Sequence, residues 1–408
     1  MKEAHVWIHL SGAGAPVLAG RFGREADSAR GEFAYDPSYL ARPDALELDP
    51  VELRLSDARF ETDRLGGVLG VLRDAGPDHW GRSVLDAGAG AGSLDELGYL
   101  VAAPDDRAGA LSFGDCAPAQ DGKYPPWRPL TDLTAVQGAA DEFMAGGHLG
   151  RDELGLLRTS LGGGRPKLTV EEDGALWVAK LNRADDRWNA ARVEHALLTL
   201  ARRCGLDAAQ SMVTAVDGRD VLLVRRFDRE RVADGHGRAR MASGLTLLRS
   251  DEAMWATREW SYLTLADVLG QVSERPDADR VELFRRMAFN ALVSNLDDHP
   301  RNHAIISRPG SRGWRLSPAY DLTPTPAIGE DRRDLAMACG AEGRLASAGN
   351  MLTGCGRFGL GRDEASGILD AMEEIVRQGW RRVMEECGVA GSDCERLARA
   401  FAYPGFRR

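Results

Sequence analysis

Lysine is almost absent from this chain. Of 52 basic residues only four are lysine, at positions 2, 123, 167 and 180. Arginine does not replace a compact ammonium everywhere, so each surviving lysine marks a place to examine. Paired cysteines are also lacking. Cys116, Cys204, Cys339, Cys355, Cys387 and Cys394 form no CxxC pair and no metal spacing. That excludes a zinc module and a disulfide framework, and suits reduced thiols in a cytoplasmic protein. No apolar run approaches the roughly 20 residues that span a bilayer. The N-terminus lacks the continuous apolar core of a signal peptide, so the expected location is the cytoplasm, with no membrane partner. Positive charge is not in excess: the net charge is −10, which argues against a whole-surface nucleic-acid binder. What remains is an ordinary globular composition, 43% hydrophobic and 28% charged, over 408 residues. That length suits two or three domains, or one domain plus a two-lobed unit.

The first hundred or so residues carry short alternating apolar runs, Val6 to Leu10 and Val17 to Phe22, then FAYDPSYL at 33–40, LRLSD at 53–57 and a helical stretch from Arg64 to Leu85. This predicts a small α+β domain over 1–125. Residues 104–132, rich in Pro, Gly and Asp, read as a linker holding one short strand. From about 150 to 230 the pattern is strand, glycine turn, strand, helix, strand. This places a β-rich small lobe at 126–245. From 246 to 408 the pattern is mostly helical, with apolar residues at i, i+3, i+4 and i+7 in Leu265–Val272, Val281–Val293, Ala365–Met384 and Cys394–Phe401. The expected fold class is α+β: a protein-kinase-like two-lobed fold behind an N-terminal α+β domain.

One motif misleads. VLDAGAGAG at 84–92 resembles the first turn of a nucleotide-binding Rossmann unit. That reading needs a buried strand before the glycines and a helix after them. Asp78 to Leu85 instead continues a helical pattern, and no strand–helix alternation follows. The expectation is a helix C-terminus followed by a glycine loop.

The chemistry concentrates in NLDDHPRN at 295–302. Asp297 and Asn302 have the D-x4-N spacing of a kinase catalytic loop, in which the aspartate takes the substrate hydroxyl proton and the asparagine binds Mg²⁺. His299 and Pro300 lie inside the turn. Nineteen residues beyond Asn302, SPAYDLTP places Tyr320 and Asp321 after a strand-like run. An acid there is the expected second Mg²⁺ ligand, since Mg²⁺ prefers oxygen donors. Alone, such carboxylates would read as turn caps. Upstream parts in kinase order favour catalysis. In SLGGGRPK at 160–167, Gly162, Gly163 and Gly164 let backbone N–H groups approach phosphate oxygens, with Arg165, Pro166 and Lys167 closing the loop. LWVAK places Lys180 on a strand, facing the same way as Val178, as kinases place the lysine that holds the α- and β-phosphates. Glu194 shares a helix face with Leu197, Leu198 and Ala201, an unfavourable place for an acid unless it is paired, and Lys180 is the natural partner. VLLVRRFDRE at 221–230 ends a strand where an adenine-binding hinge would sit, at Arg225 to Phe227.

In this order SLGGGRPK, WVAK, LLVRRFDR, NLDDHPRNHAII and LSPAYDLTPTP resemble the HipA family, as do FAYDPSYL, LRDAGPDHWGR and DDRAGALSF nearer the N-terminus. The resemblance implies a serine/threonine-protein kinase toxin of a type II toxin–antitoxin module, using ATP and Mg²⁺. Asp297 matches the catalytic residue, Asn302 and Asp321 the metal ligands, Lys180 the phosphate-binding lysine, and Gly162 to Lys167 the phosphate loop. Ser160 falls where the family carries a serine that can be autophosphorylated. The implied acceptor is an aminoacyl-tRNA synthetase. The implied partner is a HipB-like helix-turn-helix antitoxin, through which alone DNA would be met. Two departures stand out: Gly-Arg-Pro in the phosphate loop, and Asp298 where many members have glycine. Two other readings stay open, a small-molecule phosphotransferase and a catalytically silent co-repressor.

Overall fold

A computed structural model describes residues 2–13, 15–25, 29–90, 92, 94–114, 127–233, 235–253, 256–326, 329 and 331–407. The chain forms two compact units. The first comprises Met1–Asp185, Thr214–Arg249 and Ile306–Gly313; the second comprises Asp186–Val213, Ser250–Ile305 and Trp314–Arg408. The boundary expected at 125/126 lies in 115–126, outside the described residues.

The first unit opens with an antiparallel sheet of β1 (Lys2–Ile8), β2 (Val17–Arg24), β3 (Gly31–Tyr35), β4 (Arg59–Thr62) and β5 (Leu111–Gly114), in the order β4-β3-β2-β1-β5. Alternation drives it: Ala4, Val6 and Ile8 on β1, and Phe33 and Tyr35 on β3, all face inward. Phe22 and Phe33 are cross-strand partners, both fully buried. Residues 104–114 contain a short strand, as expected within 104–132, but it is packed into the sheet and is not part of a loose linker. β5 pairs with β1, and the preceding turn is locked by Arg107, which is wholly buried and donates to the carbonyls of Ala75, Leu100 and Ala103 at 3.0, 2.6 and 2.9 Å. Composition marked a loop there. It did not show that one arginine satisfies the loop's backbone and so permits burial.

The helical stretch read from Arg64 to Leu85 is in fact two helices, Gly70–Asp74 and His79–Ala89. Pro77 between them has no N–H to donate to a continuous helix. The second helix ends at Gly90, whose φ of +95° favours glycine, so the helix C-terminus expected within 84–92 is found, while residue 91 of the expected loop lies outside the described residues. LRLSD at 53–57 forms bends and no strand.

A second sheet in the order β6-β7-β8-β10-β9 contains β6 (Arg128–Pro129), β7 (Lys167–Glu172), β8 (Ala175–Leu181), β9 (Ser211–Val216) and β10 (Arg219–Arg225). β7 and β8 are joined by Asp173-Gly174, both at positive φ, the backbone a two-residue hairpin demands. The second unit is helical. Ala190–Arg203, capped by Asn189, packs on Arg362–Glu386, and Tyr262–Val272 packs on Pro276–Leu292. The last of these is the most enclosed: Leu283, Phe284, Met287, Ala288, Phe289, Ala291 and Leu292 are fully buried. The whole is mixed α/β. No described helix is long and apolar enough to cross a membrane.

Candidate active site

The enclosed helix Pro276–Leu292 delivers the chain to the acidic turn. Ser294 leaves it at φ +53°, and its hydroxyl donates to the carbonyl of Ala400 at 2.5 Å. Asn295 is tied back by its N–H to Asn290 O at 2.9 Å and by Nδ2 to Asn290 Oδ1 at 3.0 Å. The turn then closes on itself. His299 N donates to Asp297 O at 2.8 Å, and Asn302 N to His299 O at 2.9 Å, around the short 3₁₀ turn Pro300–Asn302. Asp297 is exposed and its neighbour Asp298 is buried. Two adjacent carboxylates thus have opposite surroundings: one is open to a reactant and one belongs to the core.

Asn302 is nearly buried, and its Nδ2 donates to Asp297 O at 3.4 Å, so its amide oxygen is the atom left to offer a cation. Tyr320 Oη donates to Arg301 O at 2.6 Å. This bond draws the Tyr320-Asp321 segment onto the turn that carries Asn302. Asp321 is half-buried with φ +58°, an uncommon backbone state that aspartate tolerates better than most residues. Among the described residues no group of three or more His, Cys, Asp or Glu could hold a metal. One amide and one carboxylate suit Mg²⁺ nonetheless, because that ion keeps several waters and takes the rest of its shell from substrate phosphates.

Asp298 is the feature that spacing did not reveal. Its Oδ2 accepts from Tyr262 Oη and from His303 Nε2, the latter at 2.7 Å. Asn290 Nδ2 donates to the same tyrosine oxygen at 3.4 Å. All four side chains are at most 2% exposed. Burial, with Asp298 beside it, pushes the Tyr262 hydroxyl well above its usual pKa. A second aspartate and a second histidine in DDHPRNH were the only sequence sign.

The glycine loop lies in the first unit and is held by carboxylates. Gly163 N donates to Asp78 Oδ2 at 3.2 Å, and Trp80 N to Gly163 O at 3.3 Å. Ser160 N and Thr159 Oγ1 donate to Asp106 at 2.8 and 2.9 Å. Ser160 is wholly buried and its hydroxyl donates to Pro104 O. Gly163 has φ +104°, a backbone state that favours glycine, whereas a Cβ there would meet only the movable end of Lys167. Lys167 Nζ reaches back to Gly162 O at 2.5 Å, Gly162 and Gly164 are exposed, Arg165 is half-buried and Pro166 is buried.

Lys167 and Lys180 are cross-strand partners in the β7–β8 ladder. Directly opposed like charges destabilise a sheet, unless an anion makes use of both. Two of the four lysines therefore share one face beside the glycine loop. Glu194 is buried in the second unit on the helix Ala190–Arg203, as its apolar face predicted. Arg225 is exposed at the end of β10 and Phe227 half-buried after it, while His299 sits half-buried with its ring 6.5 Å from that of Trp260. The intervening Arg226 turns inward instead. It donates to Asp228 at 3.0 and 2.8 Å and to the carbonyls of Asp106 and Arg107 at 2.8 and 2.7 Å. Burial opposes its charge, but Arg226 and Arg229 beside it hold Asp228 well below the usual carboxylate range.

Similarity to known proteins follows both units. The chain is 26% identical over 405 residues to "Putative kinase Y4mE" of Sinorhizobium fredii, covering 93% of each chain. A second protein of that organism, "Putative kinase Y4dM", is 30% identical over 185 residues, 41% of this chain and 42% of its own. The fold is shared with the HipA of a Shewanella oneidensis MR-1 toxin–antitoxin system, solved with HipB and its operator DNA. The TM-score is 0.69 at 17% identity, covering 97% of this chain and 94% of that one. Residues 159–380 match the HipA-like C-terminal domain, and residues 14–114 match the HipA N-terminal domain. The chain belongs to the HipA family.

Proposed function

We propose that the protein is an ATP-dependent serine/threonine-protein kinase acting as the toxin of a toxin–antitoxin module. The observation that carries this reading is the turn 295–302, with an exposed Asp297 backed by a buried support, and Asn302 and Tyr320-Asp321 gathered around it. Asp297 accepts the proton of the acceptor hydroxyl while that oxygen bonds to the γ-phosphorus and the bond to the departing ADP oxygen breaks. Asn302 and Asp321 present oxygens to Mg²⁺, which supplies charge neutralisation at the phosphates when bound. The Gly162–Gly164 backbone, Lys167 and Lys180 are assigned to the phosphates, Glu194 to orienting Lys180, and the Arg225–Phe227 segment to the adenine side. The intact set of groups favours an enzyme over a silent binding protein. The segments 1–125, 126–245 and 246–408 are taken as N-terminal domain, small lobe and catalytic lobe.

Ser160 is taken as the self-phosphorylation site. Its hydroxyl must first leave Pro104, and a phosphate carrying about two negative charges would then repel Asp106 and the ATP phosphates alike, holding the loop out. The acceptor in the cell is taken to be an aminoacyl-tRNA synthetase, and the partner a HipB-like helix-turn-helix protein. The test is incubation with γ-labelled ATP, Mg²⁺ and a cell lysate. Labelling of one protein band, and of the chain itself, is expected. Label confined to a small molecule, or no transfer at all, overturns the reading.

A further inference from the structure

We infer that Asp298 is the positioning residue of the catalytic turn, gripping it from beneath through Tyr262 and His303. The inference rests on the kinase reading above and deepens it. Five facts carry it. Asp298 is adjacent to Asp297 in the chain yet points into the core. Its Oδ2 accepts from two buried donors on different elements, Tyr262 at the start of the helix Tyr262–Val272 and His303 just after the turn. The two rings are also packed edge to face, centroids 5.5 Å apart. His303 directly follows Asn302, so one carboxylate fixes both ends of the segment that carries Asp297 and Asn302. The far side of the network is closed as well, since Asn290 on the enclosed helix donates to Tyr262 Oη.

The geometry is economical. A D-x4-N turn must hold a base and a metal-binding amide at a fixed separation, yet its own backbone makes only a few bonds, His299 N to Asp297 O and Asn302 N to His299 O among them. Glycine at 298 would leave the turn to these and to the bonds Asn302 Nδ2 to Asp297 O and Tyr320 Oη to Arg301 O. Aspartate adds an anchor from inside. The anchor depends on a carboxylate with at least one oxygen that accepts two hydrogen bonds. Asparagine keeps an accepting oxygen, whereas alanine leaves the tyrosine and histidine donors facing an empty position.

The experiment compares wild type, Asp298→Ala and Asp298→Asn by steady-state transfer from γ-labelled ATP, and by calorimetric binding of ADP across a range of Mg²⁺ concentrations. Melting midpoints are recorded for each. Outer-shell partners typically carry roughly 10–100-fold in activity or metal affinity. Asp298→Ala is therefore expected to lose that much in kcat and to need more Mg²⁺ for ADP binding. At saturating Mg²⁺ its KM for ATP should stay near wild type, because the assigned phosphate loop and lysines lie in the other unit. Asp298→Asn should recover most of the kcat. If the alanine variant matches wild type in kcat and Mg²⁺ dependence, the inference is overturned. A loss that follows the melting midpoint alone, with asparagine no better than alanine, overturns it too. A wild type that transfers no label removes the kinase reading and this inference together, whereas an active wild type beside an unimpaired Asp298→Ala removes only the inference.

Discussion

At the scale of single residues, neighbours in sequence do opposite work. Asp297 and Asp298 differ in which way the turn points them, and the exposed one is the proposed base. Replacing Asp297 with Ala would remove the proposed general base, and a loss of about 10²–10⁴-fold in transfer rate is expected. Labelled-ATP turnover measures it, and an unchanged melting midpoint is expected because the side chain is exposed. His9 offers a pH test. Burial, reinforced by Arg238, lowers its pKa to about 3, and Ser112 and Asp105 lie at 2.8 and 3.8 Å. The folded chain thus holds this imidazole neutral, while the unfolded chain protonates it near its ordinary value of about 6.5. Between about pH 6.5 and 3 the unfolded state binds the extra proton, so this stability is complete above 6.5 and declines as pH falls, by up to about 1.4 kcal/mol per unit. Denaturant melts at pH 7 and 5 should show the fall, and His9→Gln should flatten it.

At the scale of elements, the glycine loop is secured by its neighbours more than by itself. Asp78 receives Gly163 N, and Asp106 receives Ser160 N and the Thr159 hydroxyl. Removing Asp106 by Ala leaves a buried N–H and a buried hydroxyl without an acceptor, at about 1–3 kcal/mol each. Faster hydrogen exchange at 159–164 and faster self-labelling of Ser160 are the expected outcomes, read by mass spectrometry. The helix Ala190–Arg203 shows ordinary burial energetics. Leu197 is fully buried, so Leu197→Ala should cost about 2–5 kcal/mol in urea unfolding. The strand β5 teaches a different lesson. A stretch of Pro, Gly and Asp looks unstructured by composition, yet Arg107 supplies donors to three carbonyls and makes it part of a sheet-edge core.

At the scale of the whole molecule, HipA family membership covers both units, and the Shewanella oneidensis protein of the same fold was solved with HipB and DNA. On the toxin reading proposed above, and with a net charge of −10, DNA contact would fall to a partner, and co-purification of the chain with a small helix-turn-helix protein is expected. Purification that retains no such protein, with growth arrest unaffected by its co-expression, would count against the partner. Local patterns in the sequence determined much of this molecule by themselves. The D-x4-N spacing, the triple glycine, the rarity of lysine and the apolar period of Ala190–Arg203 are written in short windows, because the backbone geometry each requires is local. Tertiary structure alone decided which carboxylate of a pair turned inward, that Lys167 faces Lys180 across a ladder, and that Asp78 and Asp106 hold a loop far along the chain. Those outcomes depend on contacts between distant segments. A single chain carries no local record of them, because burial and partner choice are set by what the rest of the fold brings alongside.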